Sequence, residues 1–211
     1  MYVPAHFALS DVAALHAFMR SNVFAVFAGN VAGRIQFAYA PLVLDPEPAP
    51  LGGVRFHLAR ANPLADIEEG AELKLSIMGP HAYVSPDWYA TPGQVPTWNY
   101  IAVEGLGRVR RLSDDGLKQL LFDLAAQEES ALAPKPAWTT ARVPPERLNV
   151  LLNAIVGFRL PFEMLEGKMK LSQNRNPEDR KAAIEGLTMR GDSASVAVAE
   201  AMRNALDQEI R

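Results

Sequence analysis

From Gly79 to Gly105 the chain reads GPHAYVSPDWYATPGQVPTWNYIAVEG. This stretch holds two of the three tryptophans, three of the five tyrosines and four of the sixteen prolines. No Lys or Arg falls between Lys74 and Arg108. Pro80, Pro86, Pro92 and Pro96 each fix φ and remove a backbone donor, so the stretch cannot be one helix. It is expected to be a strand end, a rigid loop, and a new strand from about Trp98. Flat side chains on a stiff loop suit the covering of a flat ligand or a partner chain. They equally suit a loop that caps its own core.

The 211 residues allow one domain with a sizeable core, or one domain with a helical appendage. A net charge of −3 gives no general attraction to nucleic acid or an anionic membrane, so such a role needs a local basic patch. The absence of cysteine excludes disulfides, thiolate nucleophiles and cysteine metal sites. Met1 to His6 lacks the pattern of a signal peptide, and no apolar run is long enough to span a bilayer. A cytoplasmic location is expected. His6, His16, His57 and His81 show no metal-ligand spacing. No G-x-G-x-x-G or G-x-S-x-G occurs, which argues against a Rossmann fold and hydrolase chemistry.

Ser10 and Asp11 open an amphipathic helix over 11–21, with Val12, Leu15, Phe18 and Met19 on one face. Val23 to Ala28 reads as a strand, Gly29-Asn30 as a turn, and Val31 to Tyr39 as the returning strand. Pro41 is expected to limit pairing, with Leu42 to Leu44 still extended. Val54, Phe56 and Leu58 alternate with Arg55 and His57, the mark of a strand. Pro63 opens a short helix over Leu64 to Glu69, and Glu72 to Met78 alternates as a strand. Trp98 to Leu112 reads as a long strand bent at Gly105 and Gly107. Ser113 caps a helix to about Glu128, and Pro145 opens another to Ala154. Ile155 to Leu165 has strand composition, expected at an edge or bulge because of Pro161. Asn176-Pro177 and Ser193 start the last two helices. On the final one, Val196, Ala199, Met202, Leu206 and Ile210 form a stripe that needs a packing partner, the barrel or a second subunit. The pattern predicts an α+β protein built on a small antiparallel barrel.

Two segments carry candidate chemistry. In HLARANP, Arg60 and Asn62 follow a strand and begin a helical turn, a physical way to hold phosphate. The same residues also suit a surface Arg capping a turn. In GKMKLSQNR, strand alternation would place Lys168, Lys170 and Ser172 on one face, beside Gln173, Asn174 and Arg175. Such a face could bind phosphate or sugar hydroxyls, or simply be solvated.

GPHAYVSPDWY followed by VPTWNYIAVEG, together with MYVPAHF, HLARANP and KMKLSQNRNPEDR, resembles the PaiB family, the FMN-binding negative transcriptional regulators. The resemblance runs from Met1 to about Leu187. It implies an FMN-binding split β-barrel, antiparallel and Greek-key-like, with flanking helices. It implies a barrel domain over 1–170, a helical extension over 171–211, and a homodimer with FMN between subunits. It further implies phosphate contacts at Arg60 and Asn62, and ring contacts from the strand carrying Gln36, Ala38 and Tyr39. Lys170, Ser172 and Gln173 become cofactor-shell residues, and Trp98 and Trp88 cover the flavin, line a dimer seam or pack the core. Two positions depart from the family's pattern: Tyr39 and Glu104 stand where histidines are expected. The implied role is a negative regulator, with DNA contact sought near Arg175, Arg180, Lys181 and Arg190. An FMN-dependent oxidoreductase acting on NAD(P)H or a small electrophile is the alternative, and a cofactor-free dimeric scaffold a third reading.

Overall fold

A computed structural model describes residues 1–210, and side chains through residue 207. In chain order the elements are β1 (Ala8–Leu9), α1 (Val12–Ser21), β2 (Phe24–Val31), β3 (Arg34–Asp45), β4 (Gly53–Ala59), β5 (Glu72–Val84) and β6 (Thr97–Arg108). They continue as β7 (Arg110–Arg111), α2 (Asp114–Ser130), α3 (Pro145–Asn153), β8 (Ile155–Lys170), α4 (Pro177–Arg190) and α5 (Ser193–Ile210). The chain forms two compact units. One comprises Val12–Ile77 and Glu104–Leu165; the other comprises Met1–Asp11, Met78–Val103 and Glu166–Arg211.

The first unit is an antiparallel barrel. Its strands run β5-β2-β3-β4-β8, and β6 pairs with both β5 and β8 to close the ring. Inward residues follow the two-residue period: Phe27 on β2, Leu42 on β3, Phe56 on β4 and Phe158 on β8 are fully buried. Phe56 stands opposite Phe158 in register, and the Phe27 and Phe56 rings stack at 3.9 Å. Ser113 caps α2 by accepting from the Gly116 N–H, as its position in the sequence suggests. Leu117, Leu120 and Leu124 of α2 pack with Val43, Leu112 and Ile155. Arg55 on β4 fastens this layer. Its guanidinium donates to Asp45 on β3 and, at 2.8 Å, to Asp123 on α2.

Three local expectations change. The β2–β3 turn lies at Ala32-Gly33, where φ is +50° and +79°, and not at Gly29-Asn30. Gly29 is instead a strand residue against the core, since a Cβ there would lie 2.7 Å from Ile67 Cδ1. Asn30 assists the turn by accepting from Gly33 N–H at 2.9 Å. β3 also runs unbroken through Pro41, which pairs with Phe24. The third change is β8, which is interior to the sheet, between β4 on one side and β6 and β7 on the other. Pro161 is accommodated there because its strand neighbours are glycines. Gly53 faces it in register, and a Cβ on Gly107 would lie 1.9 Å from the Pro161 carbonyl oxygen.

In the second unit, Ala8 and Leu9 pair with Lys168 and Gly167 at the end of β8. The aromatic stretch divides differently from expectation. β5 continues through Gly79-Pro80 to Val84, leaving 85–96 as the loop, with a 3-10 turn at Pro86–Trp88. Asn176 caps α4 by accepting from Asp179 N–H, and Gly191 at φ +75° ends it. α4 and α5 form a helical pair. Ile184 and Leu187 are buried on α4, and Val198, Ala199, Met202 and Leu206 on α5. Of the expected α5 stripe, Val196 is exposed, and Ile210 lies outside the described side chains. Trp88 packs on α4 at Gly186, where a Cβ would meet its indole at 2.4 Å.

Candidate cofactor site

The barrel is split along one seam. β3 pairs with β4 only over Leu42–Asp45, while residues 34–41 pair with β2. Beyond Phe56, residues His57–Ala59 of β4 pair with β8. Among the described residues, no strand occupies the other edge of 34–41. The backbone donors and acceptors on that edge are therefore not paired within the sheet. Side chains alternate along this segment. Gln36 and Ala38 point inward, with Ala38 in the core, while Ile35, Phe37 and Tyr39 point outward and are each more than 60 % exposed. Gln36 and Ala38 thus share one face, and Tyr39 stands on the other.

Arg60 and Asn62 follow directly on β4. Asn62 caps the turn at Pro63–Asp66, its Oδ1 accepting from Leu64 N–H at 2.9 Å. That leaves its amide NH2 to donate. Arg60 donates from Nε to the Asn153 carbonyl and from Nη2 to the Ile155 carbonyl, both at 3.0 Å. The guanidinium has further N–H groups. Arg60 also lines a cleft of about 360 Å³ with Asp114, Lys118, Asn149 and Asn153. This is within the roughly 300–1,000 Å³ of small-molecule sites. His57, next to this turn, has a buried Nδ1 with no partner, and burial holds its pKa below the ordinary value.

Trp98, Lys170, Ser172 and Gln173 lie in the second unit. Trp98 is exposed, with the rings of His81 and Tyr83 at 6.4 and 6.2 Å. Lys170 donates to the Thr97 hydroxyl. β8 ends at Lys170, so the continuous alternation expected through Ser172 does not hold: Ser172 turns the chain at φ +63°. Its hydroxyl exchanges hydrogen bonds with the buried Asn99 amide. Gln173 closes this turn on itself, accepting from Leu171 N–H and donating to the Met169 carbonyl. Thr97, Asn99 and Tyr89 join the cluster without having been singled out from the sequence. An asparagine within the apolar run of TWNYIAVEG was the available signal for Asn99. Glu104 pairs with Lys74; burial favours its neutral form, yet the ammonium keeps its pKa below the ordinary range. The described residues contain no group of His, Asp and Glu able to hold a metal ion.

The split barrel defines the class. The structure is similar to the FAD and heme binding protein of Mycobacterium smegmatis, with a TM-score of 0.57 and 16% identity over 83% of this chain and 79% of that one. It is also similar to the flavocytochrome Anf3 of Azotobacter vinelandii, with a TM-score of 0.60 and 15% identity over 86% and 78%. These likenesses show the flavin-type split-barrel fold. The sequence is 30% identical to "Protease synthase and sporulation protein PAI 2" of Bacillus subtilis over 211 residues, all of both chains. An uncharacterized protein of Aspergillus fumigatus is 27% identical over 99% of each chain. Residues 1–164 match the family model described as "Putative FMN-binding domain", and the chain belongs to that FMN-binding family of PaiB type.

The residues present fit the family's cofactor. The open strand edge offers backbone groups to the polar rim of a flat ring. The cleft lined by Arg60 also carries the Lys118 cation, the Asp114 carboxylate and the donors of Asn149 and Asn153. Among the described residues, no helix is long and apolar enough to cross a membrane.

Proposed function

We propose that the protein is an FMN-binding homodimer of PaiB type that acts as a negative transcriptional regulator. The open edge of β3 over residues 34–41, beside the turn bearing Arg60 and Asn62, is the observation that carries the cofactor reading. The backbone of Gln36, Ala38 and Tyr39 would meet the ring, and Arg60 with the Asn62 amide would hold the phosphate end. FMN supplies a redox-active ring when bound; the protein supplies its seat and its electrostatic setting.

The dimer reading is supported by Ile35, Phe37 and Tyr39, an apolar strip facing solvent on β3. Phe24, also exposed, extends it on β2 opposite Pro41. Strips of this kind mark interaction surfaces, and a two-fold contact covers the same strip on both copies. Exposed Trp98 is a further aromatic surface that a dimer could cover.

The regulatory reading rests on the family and on the sporulation-related name of the Bacillus relative. Of the residues where DNA contact was sought, Lys181 on α4 is exposed. Arg180 is buried, Arg175 lies over the Tyr89 ring, and Arg190 pairs with Asp192. A gel-retardation titration with DNA from upstream of the protein's own gene, run with and without FMN, tests regulation by DNA contact. Salt-sensitive retention that FMN alters supports the proposal. Absence of retention in both states, with steady NADPH oxidation by the FMN-loaded protein, would replace it with the oxidoreductase reading.

A further inference from the structure

The second unit contains a cavity of about 180 Å³ whose lining includes Lys170 and Ser172, residues that the family resemblance assigns to the cofactor shell. One wall is apolar, formed by Phe7, Val95 and Pro96. The other carries Thr97, Lys170, Arg175 and the Ser172–Asn99 pair. Tyr89 also lines it, and its hydroxyl is buried with no partner while the residue is only 8% exposed. A buried phenol without a hydrogen bond is costly in a finished core. The Arg175 guanidinium lies over the Tyr89 ring, and Lys170 lines the same cavity.

The charge balance gives the sign. Lys170 and Arg175 line the cavity, and no Asp or Glu does. Among the described residues, neither cation meets a carboxylate. Lys170 donates one bond, to Thr97, and an ammonium has three to give. Arg175 is held with its guanidinium carbon 5.3 Å from the Tyr89 ring centroid, which orients its planar donors without neutralising them. Burial lowers the Lys170 pKa; Tyr100 opposes this, and the like charge of Lys168 adds to it. Lys168 is itself buried, donating to the Tyr2 carbonyl and facing the Tyr2 and Tyr100 rings. Lys170 and Arg175 thus line a cavity where an anion would relieve the desolvation of Lys170 and its repulsion from Lys168.

The size limits the occupant. The volume corresponds to about six waters at ~30 Å³ each, well below the ~300 Å³ at which cofactor sites begin. The cavity would not enclose a whole flavin nucleotide. We propose that this cavity is a binding site for a small organic oxyanion, a carboxylate or phosphate with a short apolar body, separate from the flavin seat. Lys170, Arg175 and the Tyr89 hydroxyl would bind the oxyanion, and Phe7, Val95 and Pro96 would cover the body.

The positive φ at Ser172 supports a built site. A non-glycine residue in this conformation is uncommon, and here the Ser172–Asn99 bonds and the Gln173 latch hold it. The turn places Arg175 by a bond from its N–H to the Ser172 carbonyl at 2.9 Å.

Calorimetric titration of the flavin-free full chain with inorganic phosphate and with benzoate tests the site. Saturable binding of at least one of them, near one per chain, is expected. Lys170→Met and Arg175→Ala should each weaken it by about tenfold or more, the loss of one charge-assisted bond. Lys170→Arg should restore most of it, and Tyr89→Phe should weaken it less. If Lys170→Met fails to fold, Arg175→Ala and Tyr89→Phe carry the comparison. Repeating the titration with excess FMN, and with excess riboflavin, separates the two possible sources of an oxyanion. Unchanged anion binding in the presence of FMN supports a separate site, even if FMN binds nowhere. Displacement by FMN but not riboflavin would overturn the proposal by giving the cavity to the flavin's phosphate. No heat with either anion, or binding unaltered in all variants, would overturn it outright.

Discussion

Arg60 Nε donates to the carbonyl of Asn153, 93 positions later in the chain, at 3.0 Å. The same guanidinium reaches Ile155, so one side chain ties the end of β4 to the junction of α3 and β8. A residue proposed to hold phosphate therefore also holds the frame around it. Arg60→Ala is expected to destabilise the protein by about 1–2 kcal/mol even without FMN, through two lost hydrogen bonds. Urea denaturation of the flavin-free protein checks this, and an unchanged midpoint would show that the bonds contribute nothing.

Phe37 points away from the barrel and is exposed, between Ile35 and Tyr39 on the same face. If this strip is the dimer contact, Phe37→Glu places two like charges near a two-fold axis and desolvates them. Sedimentation equilibrium should give twice the chain mass for the wild type and the single mass for the variant. Equal masses for both would move the interface elsewhere.

Gly107 leaves no space for a side chain, because the Pro161 carbonyl oxygen would lie 1.9 Å from its Cβ. The obstacle is backbone, which cannot swing aside as a rotamer can. Gly107→Ala is expected to cost about 1–3 kcal/mol by forcing β6 and β8 apart. Thermal denaturation reads this, and a variant as stable as the wild type would contradict the close approach of these strands.

His57 has a pKa lowered by burial, so the folded state binds its proton less readily than the unfolded chain. The stability from neutral His57 is therefore complete above the ordinary value near 6.5. It declines as pH falls from there through the lower folded-state value. Denaturation midpoints for the wild type should drop between pH 7.5 and 5.5, and His57→Gln should flatten that drop. Parallel profiles would show that His57 is not the group responsible.

Much of the fold was legible from local chemistry. Ser113 and Asn176-Pro177 cap helices because their oxygens accept the first free N–H groups, a fact that needs no tertiary knowledge. The alternation of Val54, Phe56 and Leu58 likewise marks β4. What failed locally was decided at a distance. Gly29 resembles a turn residue until Leu64, Ile67 and Leu73 are seen to crowd it. Pro161 suggests an edge until glycines flank it on both sides. The family resemblance pointed to the seam, but its openness depends on where β3 and β4 part, which no single segment encodes. The opposite facing of Ala38 and Tyr39 was available from the two-residue period alone. The bond between Asn99 and Ser172, 73 positions apart, was not.

The central claim is that FMN sits at the open edge of β3 with its phosphate end at Arg60. The most direct measurement is a visible-absorption titration of the purified protein with FMN and, in parallel, with riboflavin, repeated on folded Arg60→Ala. Saturation near one FMN per chain, weaker riboflavin binding, and an Arg60→Ala protein that has lost most of its preference for FMN are expected. No spectral change at tens of micromolar FMN, or equal binding of both flavins by both proteins, would contradict it.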